Sequence, residues 1–117
     1  MASQMHELSI VMGIIKIAET ETRKAAANKV DIIELDIGTL AGIELDAFDF
    51  AWSRAVTDTV LENAVKKVNV IEAKGQCLEC DKTFSLKEVF DPCPYCNNYV
   101  KGILQGKELR VKALEVT

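Results

Sequence analysis

The chain has 117 residues, of which 49% are hydrophobic and 6% aromatic, and its formal net charge is −4. That length allows one ordinary domain or two small lobes. Surfaces that bind nucleic acid are normally basic and carry aromatic side chains, so this acidic composition argues against DNA or RNA as a partner.

The apolar stretch from Leu8 to Ala18 is predicted to be neither a signal peptide nor a membrane span. Residues 1–7 contain no lysine or arginine, and Lys16 interrupts the stretch, whereas a secretory signal has a basic start and an unbroken apolar segment. The stretch is also too short to cross a bilayer. We therefore expect a cytoplasmic protein with no membrane partner, in which thiols stay reduced.

Residues 7–27 are predicted to form an amphipathic helix. Apolar side chains recur there at helical spacing, which is typical of a face that packs in a core. The interpretation assigns all of them to the core: Leu8, Ile10, Val11, Met12, Ile14, Ile15, Ile17 and Ala18.

Val30 to Gly38 predicts a strand with one buried and one solvent-facing side. The alternating residues are Ile33, Leu35 and Ile37 against Glu34 and Asp36. A second helix is then predicted from a cap at Asp46 to Leu61, with Trp52 as a core anchor.

Three strands are predicted in the remainder of the chain: Val65 to Ala73, Tyr99 to Leu104 and Glu108 to Val116, the last with Leu109, Val111 and Ala113 on one face. The expected fold class is α/β (α+β), a small mixed sheet with two helices and an inserted four-cysteine lobe. The predicted domains are residues 1–74 with 106–117, and residues 75–105.

All four cysteines fall in two Cys-x-x-Cys pairs, with twelve residues between the pairs; they are Cys77, Cys80, Cys93 and Cys96. Two such turns facing each other can present four thiolates to one tetrahedral Zn(II) ion. A lobe of this size buries too little apolar surface to fold alone, so the metal is expected to stabilise it.

Three other uses of these cysteines are open. Cys93-Pro94-Tyr95-Cys96 looks like a glutaredoxin active site. Such a redox motif is expected at the N-terminus of a helix. The residues that follow it here, Asn97-Asn98-Tyr99-Val100, are instead typical of a turn and a strand. Disulfides are disfavoured because nothing indicates export. An iron–sulfur cluster also suits four thiolates, but it is disfavoured because the closed pairs come with no fifth cysteine and no redox partner motif.

The start of the chain carries its single histidine, His6, between Met5 and Glu7. Met5-His6-Glu7-Leu8-Ser9, together with the order of helices and strands and the two late cysteine pairs, resembles the HypA/HybF nickel metallochaperones of hydrogenase maturation. The resemblance covers nearly the whole chain, and the Met-His-Glu opening combined with two late cysteine pairs is its most specific part.

The resemblance implies two metals with separate roles. Zn(II) would be structural, held by the four cysteines. Ni(II) would be a transient cargo, bound by the imidazole of His6 and by backbone nitrogens around Met5, His6 and Glu7, because planar nitrogen donors suit Ni(II). The implied partners are a HypB-type GTPase, the large-subunit precursor of a [NiFe]-hydrogenase and, in some organisms, urease accessory proteins.

Family members normally begin at the methionine of this motif, whereas here Met1-Ala2-Ser3-Gln4 precedes Met5. The Met5 nitrogen is therefore a peptide amide, a poor donor until deprotonated. The leader is interpreted as a fusion remnant or an upstream start; if it is genuine, a weaker or rearranged nickel site is expected. Glu7 is interpreted either as a carboxylate at the helix start, facing the positive end of the dipole, or as a neighbour of nickel.

No nucleophile, base and acid constellation is visible, so we expect a carrier and not an enzyme. The alternative function is a zinc-ribbon adaptor that binds protein or nucleic acid and has no nickel function.

Overall fold

The computed structural model describes the backbone of residues 2–117 and the side chains of residues 6–117. In chain order the elements are α1 (Ala2–Lys24), β1 (Val30–Gly38), α2 (Leu45–Ala55), β2 (Val65–Ile71), β3 (Lys74–Cys77), β4 (Thr83–Ser85), β5 (Lys101–Gln105) and β6 (Leu109–Val116). The strands form two three-stranded sheets, with orders β2-β1-β6 and β4-β3-β5. The predicted α+β class is confirmed. Within residues 2–117, no helix has the length and apolarity needed to cross a membrane.

The chain divides into two compact units. The first contains the residues up to Leu35 together with Ile43–Val68 and Val111–Thr117, and the second contains Asp36–Gly42 and Asn69–Arg110. The domain boundaries predicted at residues 75 and 105 stay a prediction.

Helix α1 differs from its predicted bounds at both ends. It begins at Ala2, five residues earlier than predicted, and it ends at Lys24. At its end Ala26 adopts a left-handed φ of 53°, and the N–H groups of Ala26 and Ala27 donate to the carbonyls of Arg23 and Thr22, both at 3.0 Å. This pattern of two closing hydrogen bonds commonly ends helices at glycine, and the chain has alanine there.

The core prediction for α1 is correct on one face only. Val11, Ile14, Ile15 and Ala18 are buried, whereas Leu8, Met12 and Ile17 are exposed by 41%, 58% and 48%. The apolar stripe in the sequence is wider than the face that the helix buries.

Helix α2 begins one residue after a cap that the sequence did not indicate. Glu44 is the N-cap, and its carboxylate accepts hydrogen bonds from the N–H groups of Asp46 and Ala47 at 3.2 and 2.7 Å. The predicted cap at Asp46 is therefore wrong, and so is the predicted end at Leu61. Trp52 is buried as predicted, with its ring centroid 5.8 Å from that of Phe48.

Strand β1 has the predicted bounds, but one of its polar residues is not solvent-facing. Asp36 is 3% exposed. Its carboxylate accepts hydrogen bonds from Asn69 Nδ2 at 2.9 Å and Arg110 Nε at 2.9 Å, and Arg110 Nη2 lies 2.8 Å from Oδ2. The buried carboxylate is thus paired with a cation from β6, which the alternation pattern could not reveal.

Backbone crowding marks the end of β1 in the second unit. A Cβ added to Gly38 would lie 2.0 Å from the carbonyl oxygen of Gly106. The N–H of Leu40 donates to that same oxygen at 2.7 Å, and the N–H of Thr39 donates to the carbonyl of Ile71 at 2.9 Å. Only glycine allows this close approach of the segments.

The later strands shift slightly from prediction. The strand predicted to reach Ala73 ends at Ile71, β5 begins at Lys101, and β6 begins at Leu109. In β6, Leu109 and Ala113 are exposed and Val111 is partly buried. Strands β2 and β6 lie in the same sheet, with β1 between them.

Candidate metal centres

The four cysteines converge on one point in the second unit. Their Sγ atoms all lie within 4.8 Å of one another, with 3.5 Å between Cys77 and Cys96 and 3.7 Å between Cys80 and Cys93. All four are free thiols, and these separations far exceed the ~2.0 Å of a disulfide bond. The convergence of the two pairs follows the sequence prediction.

The two cysteine turns have the same backbone geometry. In each, the residue after the second cysteine has a φ of 63° and is Asp81 or Asn97. Its N–H donates to the carbonyl of the first cysteine of the pair, at 3.0 Å for Asp81 and 2.8 Å for Asn97. Aspartate and asparagine tolerate this left-handed conformation better than most residues. Asn97 was predicted to lie in a turn, whereas Asp81 was not, although its position directly after a cysteine pair is a usable signal.

Backbone amides also point at the sulfurs. The N–H of Glu79 donates to Cys77 Sγ and the N–H of Tyr95 donates to Cys93 Sγ, both at 3.4 Å. Such donors stabilise thiolates over thiols. Cys77 and Cys93 are fully buried in a small core with Ala73, Phe84 and Leu86.

The cluster has the dimensions of a tetrahedral zinc site. A zinc–sulfur bond of ~2.3 Å places the sulfurs of a regular tetrahedron about 3.8 Å apart. The separations of 3.5 Å between Cys77 and Cys96 and 3.7 Å between Cys80 and Cys93 are close to that edge. The donor set therefore fits a structural Zn(II) ion. Among residues 6–117 it is also the one group of three or more histidine, cysteine or acidic side chains placed to hold a metal.

Without a metal, the thiols do not ionise equally. The pKa of Cys77 is lowered to about 7, chiefly by the backbone N–H of Cys80. The backbone N–H of Asn98 lowers the pKa of Cys96, but the Cys77 thiol and burial outweigh it and raise that pKa to about 12. The pKa of Cys80 is also raised, since burial and the neighbouring thiols outweigh the backbone N–H of Lys82. A divalent cation would offset this resistance to ionisation.

The predicted nickel residues lie in α1. The backbone of Met5 is helical, and its side chain lies outside the described part of the chain. His6 is exposed, whereas Glu7 is fully buried. Because α1 begins at Ala2, Glu7 is not at the helix start, so its interpretation as a helix-start carboxylate is wrong.

Glu7 is held by α2. Its Oε2 accepts a hydrogen bond of 2.9 Å from the backbone N–H of Glu44, and its buried Oε1 has no hydrogen-bond partner. An unpaired buried carboxylate oxygen is costly. Glu44 was not among the predicted site residues, and no local sequence signal links it to Glu7.

Comparison with known proteins identifies relatives along nearly the whole chain. A family model described as hydrogenase/urease nickel incorporation, metallochaperone, hypA matches residues 5–116. A protein of Parabacteroides distasonis named hydrogenase maturation factor HypA is 40% identical over 112 residues, which is 96% of this chain and 97% of that protein. The protein of that name from Geobacter metallireducens is 38% identical over 112 residues, with 96% and 99% covered.

Two solved structures share the fold. The solution structure of the Ni metallochaperone HypA from Helicobacter pylori superimposes with a TM-score of 0.67 at 23% identity, covering 94% of this chain and 96% of that one. Another solution structure of a HypA protein gives 0.68 at 25% identity, with 97% of both chains covered. With a family model that matches 112 residues and relatives at 38–40% identity, this chain belongs to the HypA family.

Proposed function

We propose that this chain is a nickel metallochaperone that binds Ni(II) at its Met-His-Glu motif and delivers it during maturation of [NiFe]-hydrogenase. The observation that carries the proposal is the family match, which begins at Met5, the first residue of the motif. The exposure of His6 supports it, since a carrier must bind and release its ion at an accessible site.

The proposal separates two metal sites by chemistry. Cys77, Cys80, Cys93 and Cys96 would hold Zn(II), whose role there is to stabilise the β4-β3-β5 sheet through binding energy. A closed four-thiolate site retains its metal, so it does not suit a cargo. The imidazole of His6, with backbone nitrogens of Met5, His6 and Glu7, would bind Ni(II) through borderline donors that exchange more readily.

Contact with α2 holds Glu7, the last residue of the nickel motif, in place. The hydrogen bond from Glu44 ties the end of the motif to the start of α2. The other carboxyl oxygen of Glu7, Oε1, is buried and has no hydrogen-bond partner. Glu7 would thus position the motif.

The proposal also extends to partners and location. A HypB-type GTPase and the hydrogenase large-subunit precursor would receive or share the nickel, and urease accessory proteins would do so where urease is made. The protein would act in the cytoplasm, as a carrier and not as an enzyme.

A nickel titration of zinc-loaded protein tests the function. Uptake of about one Ni(II) per chain is expected, given one motif, and His6→Ala should abolish it while zinc content stays unchanged. Nickel uptake that survives His6→Ala would overturn the site assignment. Absence of uptake, with partner binding independent of nickel, would favour the alternative of a zinc-ribbon adaptor.

A further inference from the structure

The sheet of the second unit has an open edge at β4. Its strand order is β4-β3-β5, so β4 has a neighbouring strand on one side only. The carbonyl of Lys82 and the N–H of Leu86, on either side of β4, are hydrogen-bonded toward β3 at 2.9 and 3.1 Å. Bonded positions alternate along an antiparallel ladder, so Phe84 also faces β3, whereas the backbone groups of Thr83 and Ser85 point away from it.

The outward backbone groups of β4 are accessible. Thr83 and Ser85 are both exposed. Within the described part of the chain, their N–H and carbonyl groups have no hydrogen-bond partner. A strand edge with unpaired donors and acceptors is a template on which another extended segment can pair. The edge at β4 is therefore open to a fourth strand.

Two lysines flank this edge. Lys74 lies opposite Ser85 on β3, and Lys82 directly precedes β4; both are exposed. Among residues 6–117, neither ammonium group forms an ion pair with a carboxylate. Lys82 Nζ instead lies 4.7 Å from the centroid of the Tyr95 ring, a cation–π contact. Cations that have no internal counter-charge favour an acidic ligand.

A cleft beside β4 provides room for side chains of an added segment. Its volume is about 460 Å³, and its lining residues are Lys74, Thr83, Phe84, Ser85, Pro94 and Tyr95. The Tyr95 side chain is 61% exposed, so it offers an apolar wall next to the open backbone. In strand addition, backbone hydrogen bonds provide affinity and side-chain pockets provide specificity.

We propose that the β4 edge is a docking site for an extended acidic segment of a partner protein, which adds to the sheet as a fourth strand. The backbone groups of Thr83 and Ser85 pair with its main chain, and Lys74 and Lys82 meet its carboxylates. A nucleic acid has no alternating N–H and carbonyl groups to pair with this ladder, so the open edge favours a polypeptide. The inference uses no residue of the Met-His-Glu motif and stands independently of the nickel proposal.

The charge test uses zinc-loaded full-length protein and a short, end-blocked, fluorescein-labelled peptide of valine and threonine flanked by glutamates. Fluorescence anisotropy should show saturable binding. Lys74→Glu/Lys82→Glu should weaken binding at least about tenfold, because two attractions become repulsions. Lys29→Glu/Lys107→Glu changes the net charge equally at two exposed lysines outside the cleft, and should leave the affinity unchanged.

The backbone test asks whether the peptide pairs with β4. Ser85→Pro removes an outward N–H and leaves the ladder to β3 complete, because proline is tolerated where the N–H of an edge strand faces solvent. It should abolish peptide binding while the zinc content stays that of the unmodified protein. Two peptides that are N-methylated on alternate amides give the same test without changing the protein: one should lose binding and the other should keep it.

Four results would overturn the docking site. The first is equal binding of a peptide with lysine in place of every glutamate, and the second is undiminished binding by Lys74→Glu/Lys82→Glu or of both methylated peptides. The third is displacement of the peptide by an equal concentration of oligothymidylate, which would indicate a nucleic-acid surface. The fourth is dimerisation of the peptide-free protein that Ser85→Pro abolishes in sedimentation, which would assign the edge to a second copy of the chain.

Discussion

The backbone N–H of Glu44 donates a 2.9 Å hydrogen bond to Oε2 of Glu7. Glu44 also caps α2 with its own carboxylate. One residue therefore starts the second helix and fixes a buried acidic side chain of the first. This contact ties the predicted nickel motif to the core of the first unit.

Glu7→Ala should lower the free energy of unfolding by about 2 kcal/mol, because it leaves the Glu44 N–H without an acceptor and opens a cavity. Glu7→Gln keeps an acceptor and should cost less. Urea denaturation of the zinc-loaded protein measures both changes. Glu21→Ala is the control, since the Glu21–Lys24 pair is exposed and 3.6 Å long, and such pairs contribute little. If Glu7→Ala and Glu21→Ala lowered the free energy of unfolding equally, the hydrogen bond between Glu44 and Glu7 would not stabilise the fold.

Gly38→Ala should destabilise the protein by about 2 kcal/mol or more, as overpacking does, because the new methyl would collide with the carbonyl of Gly106. Gly13→Ala provides the matched control in open space. It should instead stabilise α1 by up to about 1 kcal/mol, the helix preference of alanine over glycine. Thermal unfolding should show a lower melting temperature for Gly38→Ala and a higher one for Gly13→Ala. An unchanged melting temperature in Gly38→Ala would contradict the crowding at this position.

Arg110→Ala should lower the free energy of unfolding by about 2 kcal/mol, which is in the range for a hydrogen bond to a charged group. The substitution removes the cation paired with the buried carboxylate of Asp36. Lys112→Ala on the same strand is the control. The Lys112–Glu34 ion pair is 3.6 Å long, and its side chains are exposed by 54% and 30%. Removing this pair should therefore leave the free energy of unfolding nearly unchanged. Chemical denaturation compares the two, and an Arg110→Ala protein as stable as Lys112→Ala would show that Asp36 does not need its cation.

Zinc binding should release more protons at pH 6 than at pH 8. The metal-free Cys77 thiol has a pKa of about 7, so it is mostly thiolate at the higher pH and mostly protonated at the lower. Zn(II) binds the thiolate and must displace that proton. Zinc affinity, and the stability that zinc confers, should therefore fall as pH falls, more steeply below pH 7 than above it.

Calorimetric zinc titrations in buffers of different ionisation enthalpy count these protons. His6→Ala provides a background without the single imidazole of the chain. Proton release that stays constant or grows with rising pH would contradict the assignment of the low pKa to Cys77.

Local patterns predicted the parts of the fold that local physics determines. β1 was placed correctly because Ile33, Leu35 and Ile37 alternate, and all three are buried. The cysteine pairs predicted a common centre because their spacing restricts the turns. The burial of Asp36 was missed, since its partner Arg110 is 74 residues away in the chain.

Helix ends were the weakest predictions, for physical reasons. Glutamate is not a usual N-cap residue, yet the Glu44 carboxylate reaches two amides of α2. Ala26 ends α1 in a left-handed conformation that sequence rules assign to glycine. The extension of α1 back to Ala2 placed the Met-His-Glu motif within a helix, which motif reasoning did not consider.

The central claim is that sulfur holds the permanent ion while nitrogen donors at Met5, His6 and Glu7 hold the transient one. Nickel X-ray absorption spectroscopy on zinc-loaded protein with one added equivalent of Ni(II) tests it most directly. The account predicts nitrogen and oxygen neighbours that include imidazole, and loss of this spectrum in His6→Ala. Nickel bonded to cysteine sulfur, with imidazole uninvolved, would contradict it.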